Sequence, residues 1–166
     1  MNRPFSNRQR KTIGHGTWLT NAIFQTILGI NRASFMVHYT SRISFPDRIQ
    51  LVGSDEHFDA ELCLASSISC YLQARNGLII DRSVRFAAGV KMISANHNLK
   101  NPDYFDHAAP LTIHKRVWIG ANVVLLPGIN IGENTVVGAG SVVSRSLPAN
   151  VVAAGCPCRI IRNIDD

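Results

Sequence analysis

Val117-Trp-Ile-Gly-Ala-Asn-Val-Val-Leu-Leu-Pro-Gly128, running on into Ile129-Asn-Ile-Gly-Glu-Asn-Thr-Val-Val-Gly-Ala-Gly140, is the stretch that decides the fold. From Ile113 to Leu147 an apolar residue recurs every six positions, at Ile113, Ile119, Leu125, Ile131, Val137 and Val143. A second series stands four further on, at Val117, Val123, Ile129, Thr135, Ser141 and Leu147. A 3.6-residue helix cannot hold that beat and neither can a simple alternating ribbon, so the segment is an internal repeat. Each four-on residue lies two before the next beat, which on a strand puts both on one face. Gly120-Ala-Asn122, Pro127-Gly128, Gly132-Glu-Asn134 and Gly138-Ala-Gly140 supply residues that turn tightly or accept positive φ. Short strands with tight corners, three to a coil, predict a parallel β-helix with stacked aliphatics inside. The periodicity leaves the hand of the coil open.

These residues resemble the hexapeptide-repeat acyltransferases. The likeness rests on Val117 to Gly128, Ile131-Gly-Glu-Asn134, Gly138-Ala-Gly-Ser-Val-Val143 and Ala154-Gly-Cys-Pro-Cys-Arg-Ile-Ile-Arg162. Within that family the chain is most similar to the galactoside/maltose acetyltransferase branch and its surface-polysaccharide O-acetyltransferase relatives. Cys70-Tyr-Leu-Gln-Ala-Arg-Asn-Gly77 adds to the second likeness, and Ser94-Ala-Asn-His97 makes the resemblance specific for chemistry as well as fold. It extends from Ser41 to Ile164. The resemblance implies an all-β fold, a left-handed parallel β-helix with a short N-terminal helix and one protruding loop. It also implies acetyl-CoA as co-substrate, with no metal required, and a homotrimer with active sites between subunits.

At 166 residues with 46% hydrophobic and 17% charged side chains, the chain can bury a core and is not a disordered tail. A solenoid leaves open ends and faces, so self-association is expected. The net charge of +6 fits either a solubility surplus or a polyanionic partner such as coenzyme A or an acidic glycan. Lys and Arg are dispersed and not interleaved with aromatics, which argues against nucleic acid. Cys63, Cys70, Cys156 and Cys158 lack metal-ligand spacing, and reduced thiols in the cytoplasm are expected. No cleavable signal peptide is evident, and Trp18 to Ile30 is too short to span a bilayer.

In chain order, 1–40 reads as a basic N-terminal segment and helix, and 41–166 as the β-helix domain with an excursion at 98–112 and a tail at 155–166. Residues 1–16 are expected to be partly ordered at best. Thr17 is expected to cap a helix over 18–29 that places Trp18, Ala22, Ile23 and Ile27 on one face and ends at Gly29. That helix would cap the open coil or a neighbouring subunit; the alternative is a basic amphipathic contact with the inner face of the membrane. The beat starts at Ile43 and Ile49, blurs over 53–61, and resumes at Leu64 and Cys70 with Ile68 and Ala74 in the four-on series. Asn76-Gly77 shifts the phase by two before Ile80, Phe86 and Met92 restore it. Met92 then predicts Asn96 inward and His97 outward. Val151 to Ala154 reads as a last strand, and Arg159 to Ile164 as a closing strand or a short tail.

Moving an acetyl group from a thioester to a hydroxyl needs a base, an oxyanion donor and a groove for the coenzyme. Among six histidines His97 is chosen as base: it faces outward, precedes the loop and matches the family's catalytic histidine. The resemblance makes the Ala121 amide the oxyanion donor. For the coenzyme it points to Trp118, Gly120, Ala139, Ser144, Arg145 and Arg162, with Arg159 a weaker candidate. On the acceptor side Ser67 stands where galactoside enzymes have Asn and Arg75 where they have Asp, and in a shorter loop Asp103 or Asp106 is the candidate to replace their Glu. Those exchanges argue against a simple galactoside. The expected function is O-acetylation of a sugar hydroxyl in surface-polysaccharide or glycolipid biosynthesis. The alternatives are N-acetylation of an amino sugar and a non-catalytic assembly domain. A metal-dependent hydratase on the same repeat would need three converging histidines, for which the spacing gives no support.

Overall fold

Each six-residue beat forms one short strand and one corner, and the chain visits three sheets in turn. The computed structural model describes residues 7–54, 56–57 and 59–165, with residues 7–9 as backbone only. The first sheet holds β1 (Arg42–Ser44), β3 (Tyr71–Gln73), β6 (Lys91–Ile93), β9 (Val124–Leu125) and β12 (Val142–Val143). The second holds β2 (Ile49–Val52), β4 (Leu78–Asp81), β7 (Leu111–Ile113) and β10 (Asn130–Ile131). The third holds β5 (Arg85–Phe86), β8 (Trp118–Ile119), β11 (Val136–Val137), β13 (Val151–Gly155) and β14 (Cys158–Asn163). All pairings are parallel except β13 with β14, which turns back antiparallel along the edge. Of the two readings of Arg159 to Ile164, the closing strand is found.

The beat residues stack in register. Ile43, Leu72, Met92, Leu125 and Val143 lie above one another in the first sheet. Ile80, Ile113 and Ile131 do so in the second, and Phe86, Ile119, Val137 and Ala153 in the third. All are buried, and each large one contributes roughly 1.5–3 kcal/mol by leaving water. The two polar four-on residues are buried but satisfied. Thr135 Oγ1 donates to the Pro148 carbonyl at 2.7 Å, and Ser141 Oγ accepts from the Gly155 amide at 3.0 Å.

Glycine at the corners is demanded by the next coil as much as by φ. A Cβ on Gly132 would sit 2.3 Å from the Ala149 amide nitrogen and 2.5 Å from the Pro148 carbonyl carbon. Gly132→Ala is therefore expected to destabilise the fold by about 1–3 kcal/mol, because backbone must shift to admit one methyl. An unchanged urea midpoint in that variant would mean the corner has room.

The blurred beat between β2 and β3 has a cause. There α3 (Asp59–Ser66) packs against β5, where the first coil would otherwise carry its third-sheet strand. The Phe86 amide finds the Cys63 sulfur at 3.3 Å, the Ala60 amide donates to the Arg82 carbonyl, and Arg82 pairs with the buried Glu61. Leu64 is thus buried on a helix and not on the expected strand, and Ile68, read as inward, is exposed. A second register difference lies at Asn96, which is exposed although Met92 predicted it inward. The chain leaves the coil after Ala95, and Leu111, buried on its return, takes the vacated slot two residues before Ile113.

The N-terminal segment also departs from expectation. Residues 7–16, expected to be poorly ordered, include α1 (Asn7–Ile13) and the start of α2 (His15–Ala22); residues 1–6 lie outside the described ones. Gly14, not Thr17, precedes α2, and the helix widens into a π-helical turn over Ile23–Ile27 before Gly29 ends it at φ +71°. Its inward face is polar. Asn21 takes the Tyr39 amide and donates to the Ala65 carbonyl, both at 2.9 Å. Gln25 donates to the Asn31 and Phe35 carbonyls and accepts from the Val37 amide. These buried amides satisfy backbone groups of the irregular 31–41 segment, which has no ladder of its own. Among the described residues no helix is long and apolar enough to cross a membrane.

Candidate active site

His97 is exposed at the root of the excursion, where it forms an isolated bridge with Phe105. Its Nδ1 lies 2.6 Å from the Pro102 carbonyl oxygen. A carbonyl only accepts, so Nδ1 carries the hydrogen, and the neutral ring keeps its lone pair on Nε2. The loop that makes this contact is itself pinned. Asn98 Nδ2 donates to Asp106 Oδ1 at 2.8 Å, Asn98 Oδ1 accepts the Lys100 and Asn101 amides, and Asn76 Nδ2 donates to the Asp106 carbonyl.

Phe105, which the sequence reading passed over, joins base and acceptor-side candidates. Its ring stands 4.1 Å from the His97 ring by centroids, and the Arg75 guanidinium carbon lies 3.6 Å from its centroid on a cation–π contact. Phe45 supports the same guanidinium at 4.8 Å, and Arg75 Nε is buried with no protein partner. His97, Arg75 and Asp106 are therefore brought together. An aromatic inside an otherwise polar loop was the available signal for Phe105. Ser67 sits just past the C-terminus of α3, where its hydroxyl donates to the Phe86 carbonyl at 3.1 Å, leaving only its oxygen lone pairs for a ligand.

The candidates on the coenzyme side lie elsewhere on the coil. Trp118 is 58% exposed on the outer face of the third sheet, beside Arg85 and Val136 in register. It lines a cavity of about 560 Å³ with His57, Asp59, Ser83, Arg85 and Arg116. Gly120 and Ala121 form the corner that follows; a Cβ on Gly120 would meet the Ala139 nitrogen at 2.6 Å, so the two corners are stacked tightly. The Ala121 carbonyl accepts the Gly140 amide, and the Ala121 N–H has no acceptor among the described residues. Ser144 and Arg145 are exposed after β12, and Arg162 lies exposed on β14 opposite Val152. One chain alone does not bring His97, between the first and second sheets, to Trp118 on the third or to Ala121 at the next corner. Burial pushes the Cys63, Cys70 and Cys158 thiols up from their ordinary range, which makes these three poor nucleophiles, while Cys156 is exposed on the turn between β13 and β14.

Residues 110–145 match the bacterial transferase hexapeptide family, six repeats. Over this stretch the repeat is similar to that of the bacterial hexapeptide transferases. Around this hexapeptide coil the chain is 57% identical over 60 residues to the galactoside O-acetyltransferase of Escherichia coli (strain K12), covering 36% of this chain and 30% of that protein. The maltose O-acetyltransferase of Clostridium difficile 630 superposes with a TM-score of 0.55 at 29% identity, covering 76% of this chain and 64% of that one. A hexapeptide-repeat acetyltransferase of Vibrio cholerae O1 biovar eltor, solved with acetyl coenzyme A, superposes at 0.62 with 26% identity, covering 76% and 66%. The chain spans under half the length of the curated relatives it matches most strongly.

Proposed function

We propose that this chain is an acetyl-CoA-dependent O-acetyltransferase acting on a sugar hydroxyl in surface-polysaccharide or glycolipid biosynthesis. The observation that carries this is the His97 ring, fixed through Nδ1 to the Pro102 carbonyl with Nε2 left as base. Nε2 takes the acceptor hydroxyl proton as that oxygen attacks the thioester carbonyl. The oxyanion that forms is held by the Ala121 N–H. Collapse breaks the carbon–sulfur bond, and the proton on His97 leaves with the coenzyme thiolate. Burial of the Cys63, Cys70 and Cys158 thiols favours this direct transfer over an acyl-enzyme formed on any of them.

In this proposal the coil is left-handed and three cytoplasmic copies assemble. His97 of one subunit then faces Trp118 and Ala121 of the next, a reading supported by their separation on different sheets within one chain. Trp118, Gly120 and Ala139 line the pantetheine path, and Ser144, Arg145 and Arg162 face the coenzyme phosphates. Ser67, Arg75 and Asp106 face the acceptor. A guanidinium stacked between two phenyl rings is presented as a fixed cation, which suits an acceptor bearing a carboxylate.

The test is coenzyme release, followed as free thiol, with neutral, uronic-acid-containing and amino-sugar oligosaccharides. Acceptor-dependent release with an ester product supports the proposal; an amide product would move it to N-acetylation. Absence of acetyl-CoA binding by calorimetry would leave only an assembly role. With an acidic acceptor Arg75→Gln is expected to raise KM about tenfold or more, the worth of one charge-assisted hydrogen bond. Equal KM values for the two proteins would remove Arg75 from acceptor recognition.

A further inference from the structure

The first carboxylate in this chain is Asp47. Residues 1–46 contain Arg3, Arg8, Arg10, Lys11, Arg32 and Arg42 and no Asp or Glu, whereas the rest of the chain has eleven cations and eleven carboxylates. The whole net charge of +6 therefore sits in residues 1–46, five of the six cations preceding β1. The helix in that segment is turned against the usual rule. It buries Asn21 and Gln25 and shows water Leu19, Ile23, Ile27 and Leu28, which are between 38% and 73% exposed. Leu19, Ile23 and Ile27 follow one another at four-residue intervals, so they form a row along one side of the rod. The amide clamps described above lock this orientation, so the row cannot rotate inward without stripping partners from buried backbone. Cations bracket the row. The Arg10 guanidinium lies 5.3 Å from the centroid of Trp18, at one end, and at the other the Arg32 guanidinium folds over Gly29, next to Leu28.

We infer that this face is a docking surface for an anionic phospholipid leaflet. An apolar row with a cation at each end, on a segment whose own sequence has no carboxylate, matches both layers of such a surface: acyl chain for the isoleucines and leucines, phosphate for the guanidinium and ammonium groups. A second copy offering the same face would answer the apolar row but would set like charges against one another. The lipid surface answers both features. The inference does not depend on the chemistry proposed above.

The full-length chain is mixed with vesicles containing phosphatidylglycerol and, separately, with vesicles of phosphatidylcholine alone, and bound protein is measured by co-sedimentation. Binding is expected to the anionic vesicles only, and to weaken at least tenfold between about 0.1 M and about 0.5 M salt as the charges are screened. Ile27→Glu and Leu19→Glu should each lower the partition coefficient about tenfold by losing an inserted side chain. Arg10→Gln with Lys11→Gln should lower it about fivefold per charge. These positions are exposed, and an unchanged thermal melt will show that the variants fold. Equal binding to both vesicle types, or none to either, overturns the inference. So does an Ile27→Glu variant that loses oligomeric mass in sedimentation while vesicle binding stays as it was, because that result assigns the row to a second copy.

Discussion

His97→Ala lowers turnover by about 10²–10⁴-fold, the range for loss of a positioned general base. Acetyl-CoA affinity and the melting temperature are expected to stay near those of the wild type. The ring is exposed, and its one hydrogen bond goes to a loop carbonyl that water can serve instead, so little folding energy rests on it. Steady-state thiol release and calorimetry separate the two quantities. Near-normal turnover in the variant would remove His97 from the reaction.

Ala121→Pro is the second large effect, and the chain supplies its own control. Gly120-Ala-Asn122 and Leu126-Pro-Gly128 follow successive strands and turn alike, with φ of +56° at Asn122 and +71° at Gly128. Pro127 thus occupies, one corner on, the position of Ala121, and the coil accepts proline there. The substitution removes one N–H that has no acceptor among the described residues. Turnover is expected to fall about 10²–10³-fold, the usual worth of one oxyanion donor, with stability retained. A variant with normal turnover would assign the oxyanion to another group. The two variants together test the shared site. If three copies assemble as proposed, an equal mixture of the two variants is expected to regain activity, because roughly a quarter of the sites then hold an intact His97 and an intact Ala121 from different subunits. If both groups served one chain alone, mixing would restore nothing.

The coil was legible because its information is one-dimensional. A residue six positions from a buried one is buried too, and Ile113 through Leu147 keep that rule without exception. Legibility failed wherever a partner is distant in sequence. Asp59-Ala-Glu-Leu-Cys-Leu-Ala-Ser66 is an ordinary helical string, but its role as a substitute strand depends on β5, some twenty residues on. The inward amides Asn21 and Gln25 follow from unpaired backbone at 31–39, which no hydropathy pattern records. Trp18, Ala22, Ile23 and Ile27 were read as the packing face for that reason. His97 could be chosen from its neighbours; the stack through Phe105 to Arg75 needs the loop folded back.

Leu111 fills the slot that position 96 leaves empty, so the strands on either side of the excursion meet as though nothing stood between them. Residues 96–110 are in this sense a cassette clipped to a neutral splice point. Grafting a segment of different length there should exchange acceptor preference while thermal resistance stays that of the parent coil. The excursion can thereby change without the scaffold being rebuilt.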